Sequence, residues 1–257
     1  MNISINKQKV AQRFAQAQQN YDQHAWVQKK ICQQLSKLIH CYLPHQSFDS
    51  VLDIGCGTGQ LTQLLMQKLE MDQIYLNDLY PEIQSNFEEN ENTHFLIGDI
   101  ETVALNNVFD LVVSSSALQW VRDLEQVIQK IKHHLKMDHL FCFSTFGTQN
   151  LEEMKQLTGC GLDYFNIIEL RQILEKHGFE ILYLVEDLEK IYFKHPKQVL
   201  EHLKATGVTA TEERFRWTKT TLNQFYEGYE AFAMERQVYM RYPLTYHPIY
   251  CIARKVL

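Results

Sequence analysis

The sequence has little that would mark a secreted, membrane-spanning or metal-binding protein. Its six cysteines are scattered, none forms a Cys-x-x-Cys pair, and no histidine–cysteine cluster has the spacing of zinc ligands. The sequence has no run of about 18 apolar residues, and its N-terminal stretch does not resemble a secretory signal. We therefore expect free thiols, no metal, no membrane contact and a cytoplasmic location.

Positive charge is also scarce. The formal net charge of the 257 residues is −6, whereas a protein whose main partner is nucleic acid is more often basic. One segment differs, because residues 194–219 have a net charge of +3. Its basic residues are Lys194, Lys197, Lys204, Arg214, Arg216 and Lys219. This segment is either a solvated helical face or a docking surface for an acidic partner.

Short apolar runs alternate with amphipathic segments from residue 51 onward. The runs lie at 51–54, 74–78, 94–99, 109–114, 140–146, 179–185 and 246–253. Strands that alternate with helices indicate an α/β fold, a Rossmann-like, mostly parallel sheet of seven strands. Helices cover both faces of such a sheet, which explains why the runs are nearly continuous in apolar residues.

The same patterns divide the chain, which we expect to form one domain over residues 1–257. Residues 1–45 are predicted to form an N-terminal helical cap and residues 46–190 the Rossmann-like core. Residues 191–243 look helical and aromatic, and they are predicted to form a helical lid inserted before the last strand. Residues 244–257 would then complete the core sheet.

The strongest motif is the run Val-Leu-Asp-Ile-Gly-Cys-Gly-Thr-Gly at residues 51–59. It predicts a strand, a turn containing Gly55, Gly57 and Gly59, and then a helix. Glycine tolerates positive φ and lets a ligand lie against bare backbone. Doubly wound sheets bind nucleotides at the carboxyl end of a central strand. The loop, including the small residue Cys56, is therefore predicted to bind a cofactor.

The loop also indicates which cofactor. Dinucleotide enzymes use Gly-x-Gly-x-x-Gly and hold a pyrophosphate, so the shorter Gly-x-Gly-x-Gly spacing argues against a dehydrogenase. Asp53, in the strand before the loop, would repel a pyrophosphate but suit an ammonium group. S-adenosylmethionine carries an α-amino group and a sulfonium and has no phosphate. The motif therefore favours S-adenosylmethionine.

The second predicted strand ends in Asp78, 19 residues after Gly59 and next to Leu79. An acidic residue at that place can accept hydrogen bonds from the two ribose hydroxyls. The alternative is a turn or helix-capping aspartate, because Pro81 follows.

The third and fourth predicted strands end in further candidates. Asp99, followed by Ile100, is placed to accept a hydrogen bond from the adenine amino group, although it could also be a turn residue. Ser114 and Ser115 end the fourth run, where small residues leave room for the methionyl part of the cofactor and for a substrate.

Together these residues resemble the class I methyltransferases. The whole chain is similar to the malonyl-acyl carrier protein O-methyltransferase family of biotin synthesis. The similarity is carried by Phe14, Tyr-Asp-Gln-His-Ala at 21–25, the glycine loop, Gly-Asp-Ile-Glu at 98–101, Leu-Gln-Trp at 118–120, Arg-Tyr-Pro-Leu-Thr-Tyr-His at 241–247 and Ile-Ala-Arg at 252–254. The glycine loop is common to many methyltransferases, whereas the 241–247 run is far more specific.

The resemblance implies transfer of a methyl group from S-adenosylmethionine to the free carboxylate of a malonyl thioester, early in pimeloyl and biotin synthesis. The carrier would be acyl carrier protein, which is acidic and would suit the basic segment, or coenzyme A. No general base is needed, since a carboxylate with a pKa near 4 is already a nucleophile. Tyr21, Arg241, Tyr246 and His247 are candidates for positioning the substrate, and Tyr21 also for closing over the cofactor. The 241–247 run could equally be a structural junction.

Two other functions stay open at this point. One is a methyltransferase acting on another small carboxylic acid or on a quinone precursor. The other is a protein that binds S-adenosylmethionine without catalysis, because the predicted cofactor residues speak for binding only.

Overall fold

A computed structural model of the chain describes residues 6–43, 45–88, 90–207, 215–236 and 239–256. The helices in these residues are α1 (Lys7–His24), α2 (Trp26–Tyr42), α3 (Gln60–Met66), α4 (Leu124–His134), α5 (Glu152–Thr158), α6 (Ile167–Lys176), α7 (Pro196–Ala205) and α8 (Lys219–Tyr229). The strands are β1 (Ser47–Ile54), β2 (Glu70–Asp78), β3 (Thr93–Ile97), β4 (Phe109–Ser115), β5 (Leu135–Phe146), β6 (Phe179–Glu186), β7 (Glu189–Phe193), β8 (Met234–Arg236), β9 (Tyr239–Tyr246) and β10 (Pro248–Lys255).

The chain forms two compact units. The large unit contains Trp26–Thr145, Asn166–Glu186 and Ile249–Leu257. The small unit contains Met1–Ala25, Phe146–Phe165 and Asp187–Pro248. This division differs from the boundaries expected from the sequence, since α1 belongs to the small unit and α2 to the large unit.

The large unit is built on a seven-stranded sheet in the order β3-β2-β1-β4-β5-β10-β6. Strands β1 to β5 pair with one another in parallel, and β10 runs antiparallel to β6. The predicted α/β architecture with a mostly parallel seven-stranded sheet is therefore confirmed. The strand order reverses between β1 and β4, so their carboxyl ends form the switch point at which such sheets bind ligands.

Burial explains why the strands are so apolar. Residues 109–114 of β4 are buried at every position, so both faces of the sheet are covered, as in other parallel sheets. Helix α4 turns Leu124, Val127, Ile128 and Ile131 into the same core. The side chain of Asp123 accepts a hydrogen bond from the Gln126 N–H, and this N-cap fixes where α4 begins.

The small unit contains α1, α5, α7 and α8 and a second sheet in the order β7-β9-β8, which is antiparallel. The sequence predicts only helices for residues 191–243 and places residues 244–257 in the core sheet. The structure has α7 and α8 in the insertion, but also strands. Residues 239–246 form β9 of the small sheet, and the last core strand begins at Pro248.

A proline in β9 makes this strand difficult to predict from the sequence. Pro243 cannot donate a hydrogen bond to a ladder, so it argues against a central strand. In the structure Pro243 pairs with Tyr192 of β7, whereas β8 pairs only with residues 239–241. Pro243 therefore has a neighbouring strand on one side only, where a proline is tolerated.

Candidate functional site

The glycine loop follows β1 at the switch point of the large sheet. Gly55, Gly57 and Gly59 have φ values of 68°, 54° and 79°, the left-handed region that favours glycine. A Cβ at Gly55 would lie 2.3 Å from the Cβ of Ala117, and one at Gly59 would lie 2.7 Å from the ring of Phe87. These two glycines are required by packing as well as by φ.

Gly57 differs from its two neighbours. A Cβ built at Gly57 would meet nothing within 4 Å among the described atoms. The backbone of the loop is therefore open at this residue, as expected where a ligand lies against it. A side chain at Gly57 would enter open space, in contrast to side chains at Gly55 and Gly59.

The end of β2 holds the loop in place. The Asn77 carbonyl accepts hydrogen bonds from the Gly55 and Cys56 N–H groups at 2.8 and 3.1 Å. Asp78 Oδ2 accepts from the Gly57 N–H at 2.9 Å, and its Oδ1 accepts from the Leu79 N–H at 2.7 Å. Asp78, predicted to hold the ribose, therefore also shapes the glycine loop.

Two carboxyl groups lie beside the loop, Asp53 buried and Asp78 half-buried. Burial raises the pKa of Asp53 to about 7, against a hydrogen bond from Thr62 that lowers it, and the charge of Asp78 raises it further. Burial likewise raises the pKa of Asp78 to about 6, although backbone N–H groups oppose the shift. The Thr62 hydroxyl donates to Asp53 Oδ2 at 2.6 Å.

The raised pKa values indicate which ligand charge the site favours. Both carboxyl groups ionise reluctantly because their surroundings remove them from water. A cationic ligand would favour their ionised forms and lower both pKa values. A pyrophosphate would do the reverse. The site thus fits a ligand with an ammonium and a sulfonium group. Burial and the two carboxylates also raise the pKa of the Cys56 thiol, so Cys56 stays neutral.

The turn after β3 adds the next predicted candidates. Asp99 Oδ1 accepts a hydrogen bond from the Glu101 N–H at 3.0 Å, so the turn interpretation of Asp99 has a contact to support it. Ile100 is buried in the core of the large unit. The buried side chain of Asn77 donates to the carbonyls of Leu96 and Gly98 at 2.7 and 2.9 Å, which joins β2 to the end of β3.

The three serines at the end of β4 differ in their burial and hydrogen bonds. The Ser114 side chain is fully buried, and its hydroxyl donates to the Ile54 carbonyl at 2.8 Å, so it holds β4 to β1. Ser115 is half-buried, with its hydroxyl 3.1 Å from that of Ser144. Ser116 has a φ of 55°, and its buried Oγ has no hydrogen-bond partner among the described residues.

Sequence reasoning assigned no role to Thr62, Asn77 or Ser116. Thr62 reaches Asp53 only because α3 folds back beside β1, and Asn77 acts on a strand that comes later in the chain. A non-glycine residue with positive φ often marks a functional site, but nothing in the Ser-Ser-Ser run reveals that backbone conformation.

The candidates for positioning a substrate belong to the small unit. Arg241 is exposed. Tyr246 is buried, and its hydroxyl lies 2.8 Å from His202 Nε2; burial, and then the charge of His24, lowers the pKa of His202 to about 4. Nδ1 of the buried His247 accepts from the Gln149 N–H at 3.1 Å. The backbone of Tyr21 lies in α1, but its side chain is outside the described residues.

The basic segment is exposed where the structure describes it. Lys194, Lys197, Lys204, Arg216 and Lys219 are all exposed, and Arg214 lies outside the described residues. Lys197 pairs with Glu201 at 3.4 Å on α7.

The described residues contain neither a candidate metal site nor a candidate membrane-spanning helix. No three or more His, Cys, Asp or Glu side chains there are grouped so that they could hold a metal ion. None of the helices in that part of the chain combines the length and the apolar character needed to cross a membrane.

Comparison with known proteins gives consistent matches. Residues 13–184 match the family described as a methyltransferase domain. The chain is 42% identical to the malonyl-acyl-carrier-protein O-methyltransferase of Acinetobacter baylyi, over 99% of each chain. It is 39% identical to the Haemophilus influenzae protein of the same name, over 98% of this chain and 95% of the other.

Solved structures support the fold. The YcgJ protein of Bacillus subtilis has a TM-score of 0.60 at 12% identity, covering 88% of this chain and 99% of the other. The N-methyltransferase NodS of Bradyrhizobium japonicum, solved with S-adenosyl-L-homocysteine, has a TM-score of 0.53 at 12% identity, covering 87% and 86%.

Proposed function

We infer that this chain, which belongs to the family of malonyl-acyl-carrier-protein O-methyltransferases, esterifies the free carboxylate of a malonyl thioester. Its cofactor is S-adenosylmethionine. The observation that carries the choice of cofactor is a pair of carboxyl groups, those of the buried Asp53 and the half-buried Asp78, beside an open glycine backbone at Gly57. The choice of substrate rests on relatives of nearly equal length.

Once bound, S-adenosylmethionine supplies its methyl group to a carboxylate oxygen, and the electron pair of the broken carbon–sulfur bond stays on sulfur. We propose that Asp53 faces the positive charge of the methionyl part and that Asp78, with Leu79, holds the ribose. Asp99 and Ile100 would hold the adenine. The cofactor would lie against the backbone of Gly55, Cys56, Gly57 and Gly59. Its methionyl part would lie beside Ser114 and Ser115.

No residue needs to remove a proton, because the malonyl carboxylate is already ionised at neutral pH. The remaining task of the protein is to orient the two reactants and exclude water. Tyr21, Arg241, Tyr246 and His247 remain predictions for that task. Tyr246 contacts His202 and His247 accepts from the Gln149 N–H, both within the small unit, which favours a supporting role for these two.

An acidic carrier protein is the proposed partner, and malonyl-coenzyme A is proposed as an alternative methyl acceptor. The exposed cations Lys194, Lys197, Lys204, Arg216 and Lys219 lie on or beside α7 and α8, and we propose them, with Arg214, as its docking surface. Charge complementarity of this kind steers association and weakens with salt.

The test is mass spectrometry of malonyl-acyl carrier protein incubated with the enzyme and S-adenosylmethionine. We expect the malonyl carrier to gain the mass of one methyl group, and to gain nothing when enzyme is omitted. If calorimetry shows cofactor binding but no methyl appears on the carrier or on malonyl-coenzyme A, the cofactor assignment stands and the substrate assignment fails.

A further inference from the structure

The small unit contains a cavity of about 790 Å³. Small-molecule sites in proteins commonly have volumes of roughly 300–1,000 Å³. Its described lining comes from α1, from residues 150–164, from α7 and from the segment that leads into α8. All of these residues belong to the small unit. The cavity is therefore large enough for a substrate, and its described lining contains none of the candidate cofactor residues.

The lining is mainly apolar, with a few polar groups. The apolar side chains include Leu151, Met154, Leu162, Leu203, Phe215 and Trp217. Among the polar groups, the Asn150 side chain donates to the Tyr164 hydroxyl at 2.9 Å. Burial raises the pKa of Tyr164 to about 12, so this hydroxyl stays neutral. Such a lining suits an acyl chain with a few polar atoms.

One nitrogen of a charged side chain in the lining has no hydrogen-bond partner among the described residues. Arg13 of α1 lines the cavity, and its Nη1 atom is buried with no hydrogen-bond partner among the described residues. A buried charge that is neither paired nor hydrogen-bonded is costly, so an orphaned guanidinium nitrogen calls for an explanation. The planar guanidinium matches carboxylate and phosphate oxygens, which it can bind through two parallel hydrogen bonds.

The other charges around the cavity also favour an anion. His24 and Lys204 are basic lining residues, and Glu201 is the acidic one among the described lining. Glu201 is paired with Lys197 at 3.4 Å, so its charge is already compensated. An anion in the cavity would therefore meet Arg13 and Lys204 without facing an uncompensated carboxylate.

We propose that this cavity binds the anionic end of the acyl thioester substrate and that Arg13 anchors it. The inference rests on the proposed function, because that function supplies a substrate with two anionic groups. One is the malonyl carboxylate and the other is the phosphate of the carrier's pantetheine arm. Arg13 replaces Arg241 as the anchoring arginine, since Arg241 is exposed.

The test compares Arg13→Gln, Arg13→Lys and Arg241→Gln, with Arg171→Gln as a control. Arg171 is an exposed arginine of the large unit that pairs with Glu175. For methylation of malonyl-acyl carrier protein we expect Arg13→Gln to raise KM on the order of 30-fold, with kcat changed much less. Arg13→Lys keeps the charge without the fork and should fall between Arg13→Gln and the parent. Arg171→Gln should match the parent.

Misfolding must be separated from loss of the anchor. Because the buried Arg13 Nη1 atom has no hydrogen-bond partner among the described residues, Arg13→Gln should not lower the melting temperature, and its affinity for S-adenosylhomocysteine should equal that of the parent. If Arg13→Gln matches the parent in KM, or if Arg241→Gln shows the large increase instead, the assignment of Arg13 is overturned.

A phosphate-free substrate, the malonyl thioester of N-acetylcysteamine, identifies the anchored group. An equal loss with this thioester means that Arg13 holds the carboxylate; no loss means that it holds the phosphate. Direct calorimetric binding to the S-adenosylhomocysteine-loaded enzyme separates the two proposals. Absence of methyl transfer by the parent enzyme would contradict the proposed function. If malonyl-acyl carrier protein binds the parent and Arg13→Gln equally well, or binds neither, the inference about the cavity fails instead.

Discussion

The glycine-loop site of the large unit and the cavity of the small unit are built in different ways. The loop site is local, because Asp53 and the three glycines lie within seven consecutive positions at the end of one strand. The cavity gathers Arg13, Asn150, Lys204 and Trp217 from segments far apart in the sequence. In the proposed assignments, a short motif holds the cofactor, whereas the substrate is held by residues that tertiary packing brings together.

The largest expected effect is a difference in cofactor affinity between alanine substitutions at two glycines, one in the glycine loop and one at the end of α5. Gly57 and Gly159 both have positive φ, at 54° and 69°, and a Cβ at either would meet nothing within 4 Å among the described atoms. Alanine should therefore cost each about 1–2 kcal/mol of folding free energy. Gly57→Ala should also weaken cofactor binding on the order of 100-fold, or roughly 2.7 kcal/mol, because its methyl group would occupy the ligand's place.

Calorimetric titration with S-adenosylhomocysteine measures this difference. Gly159→Ala, at the end of α5 in the small unit, should bind the cofactor product as tightly as the parent. Equal affinities for the two variants would mean that the open backbone at Gly57 is not a ligand surface.

The next effect is a difference between alanine substitutions at two carboxylates on strands of the same sheet. Asp78 accepts from the Gly57 N–H and Asp110 from the Ser50 N–H, each at 2.9 Å. Asp78→Ala should lower cofactor affinity roughly 30-fold, because it removes the proposed ribose acceptor and a support of the loop. Asp110→Ala should lower the melting temperature but leave cofactor affinity intact. If both variants lose the same affinity, Asp78 acts through stability alone.

The raised pKa of Asp53 predicts a dependence on pH. Between about pH 4 and 7 the folded, ligand-free protein holds a proton that the unfolded chain has lost, so its stability falls as pH rises. Binding of a cation should release that proton, so affinity should increase with pH from 5.5 to 7.5, up to about tenfold. Calorimetry in two buffers of different ionisation enthalpy counts the released protons.

Asp53→Asn provides the control for this linkage. It should stabilise the ligand-free protein at pH 8 on the order of 2 kcal/mol, since one pKa unit corresponds to about 1.4 kcal/mol, while it weakens cofactor binding. A proton count that is the same in Asp53→Asn and the parent would assign the linkage to another group.

The smallest expected effect is at the proposed docking surface. Reversing the charges of Lys194 and Lys219, which are exposed and do not line the cavity, should raise KM for the carrier-bound substrate roughly five-fold at low salt, and the increase should shrink at high salt. The N-acetylcysteamine thioester has no carrier, so the effect on it should vanish. Lys37→Glu, at an exposed lysine of α2, is the matched control. An equal effect of the reversal on both substrates would contradict docking at this surface.

The same contrast explains what the sequence could predict. The strands of the large sheet follow from their apolar runs, and the glycine loop follows from its spacing, because each is a property of neighbouring residues. The bond from Thr62 to Asp53, the strained Ser116 and the pairing of Pro243 depend on segments that meet only after folding. Arg13 looks like any polar residue of an amphipathic helix until the cavity beside it is known.

The central claim is that the methyl group is placed on the carboxylate oxygen of a malonyl thioester. Its most direct test uses S-adenosylmethionine with a trideuterated methyl group and malonyl-acyl carrier protein, followed by mass spectrometry before and after mild alkaline hydrolysis of the isolated acyl group. We predict that the acyl group gains one trideuteromethyl group, which hydrolysis removes as methanol because it is an ester. A label that survives hydrolysis would place the methyl on carbon, and absence of label would contradict methylation of this substrate.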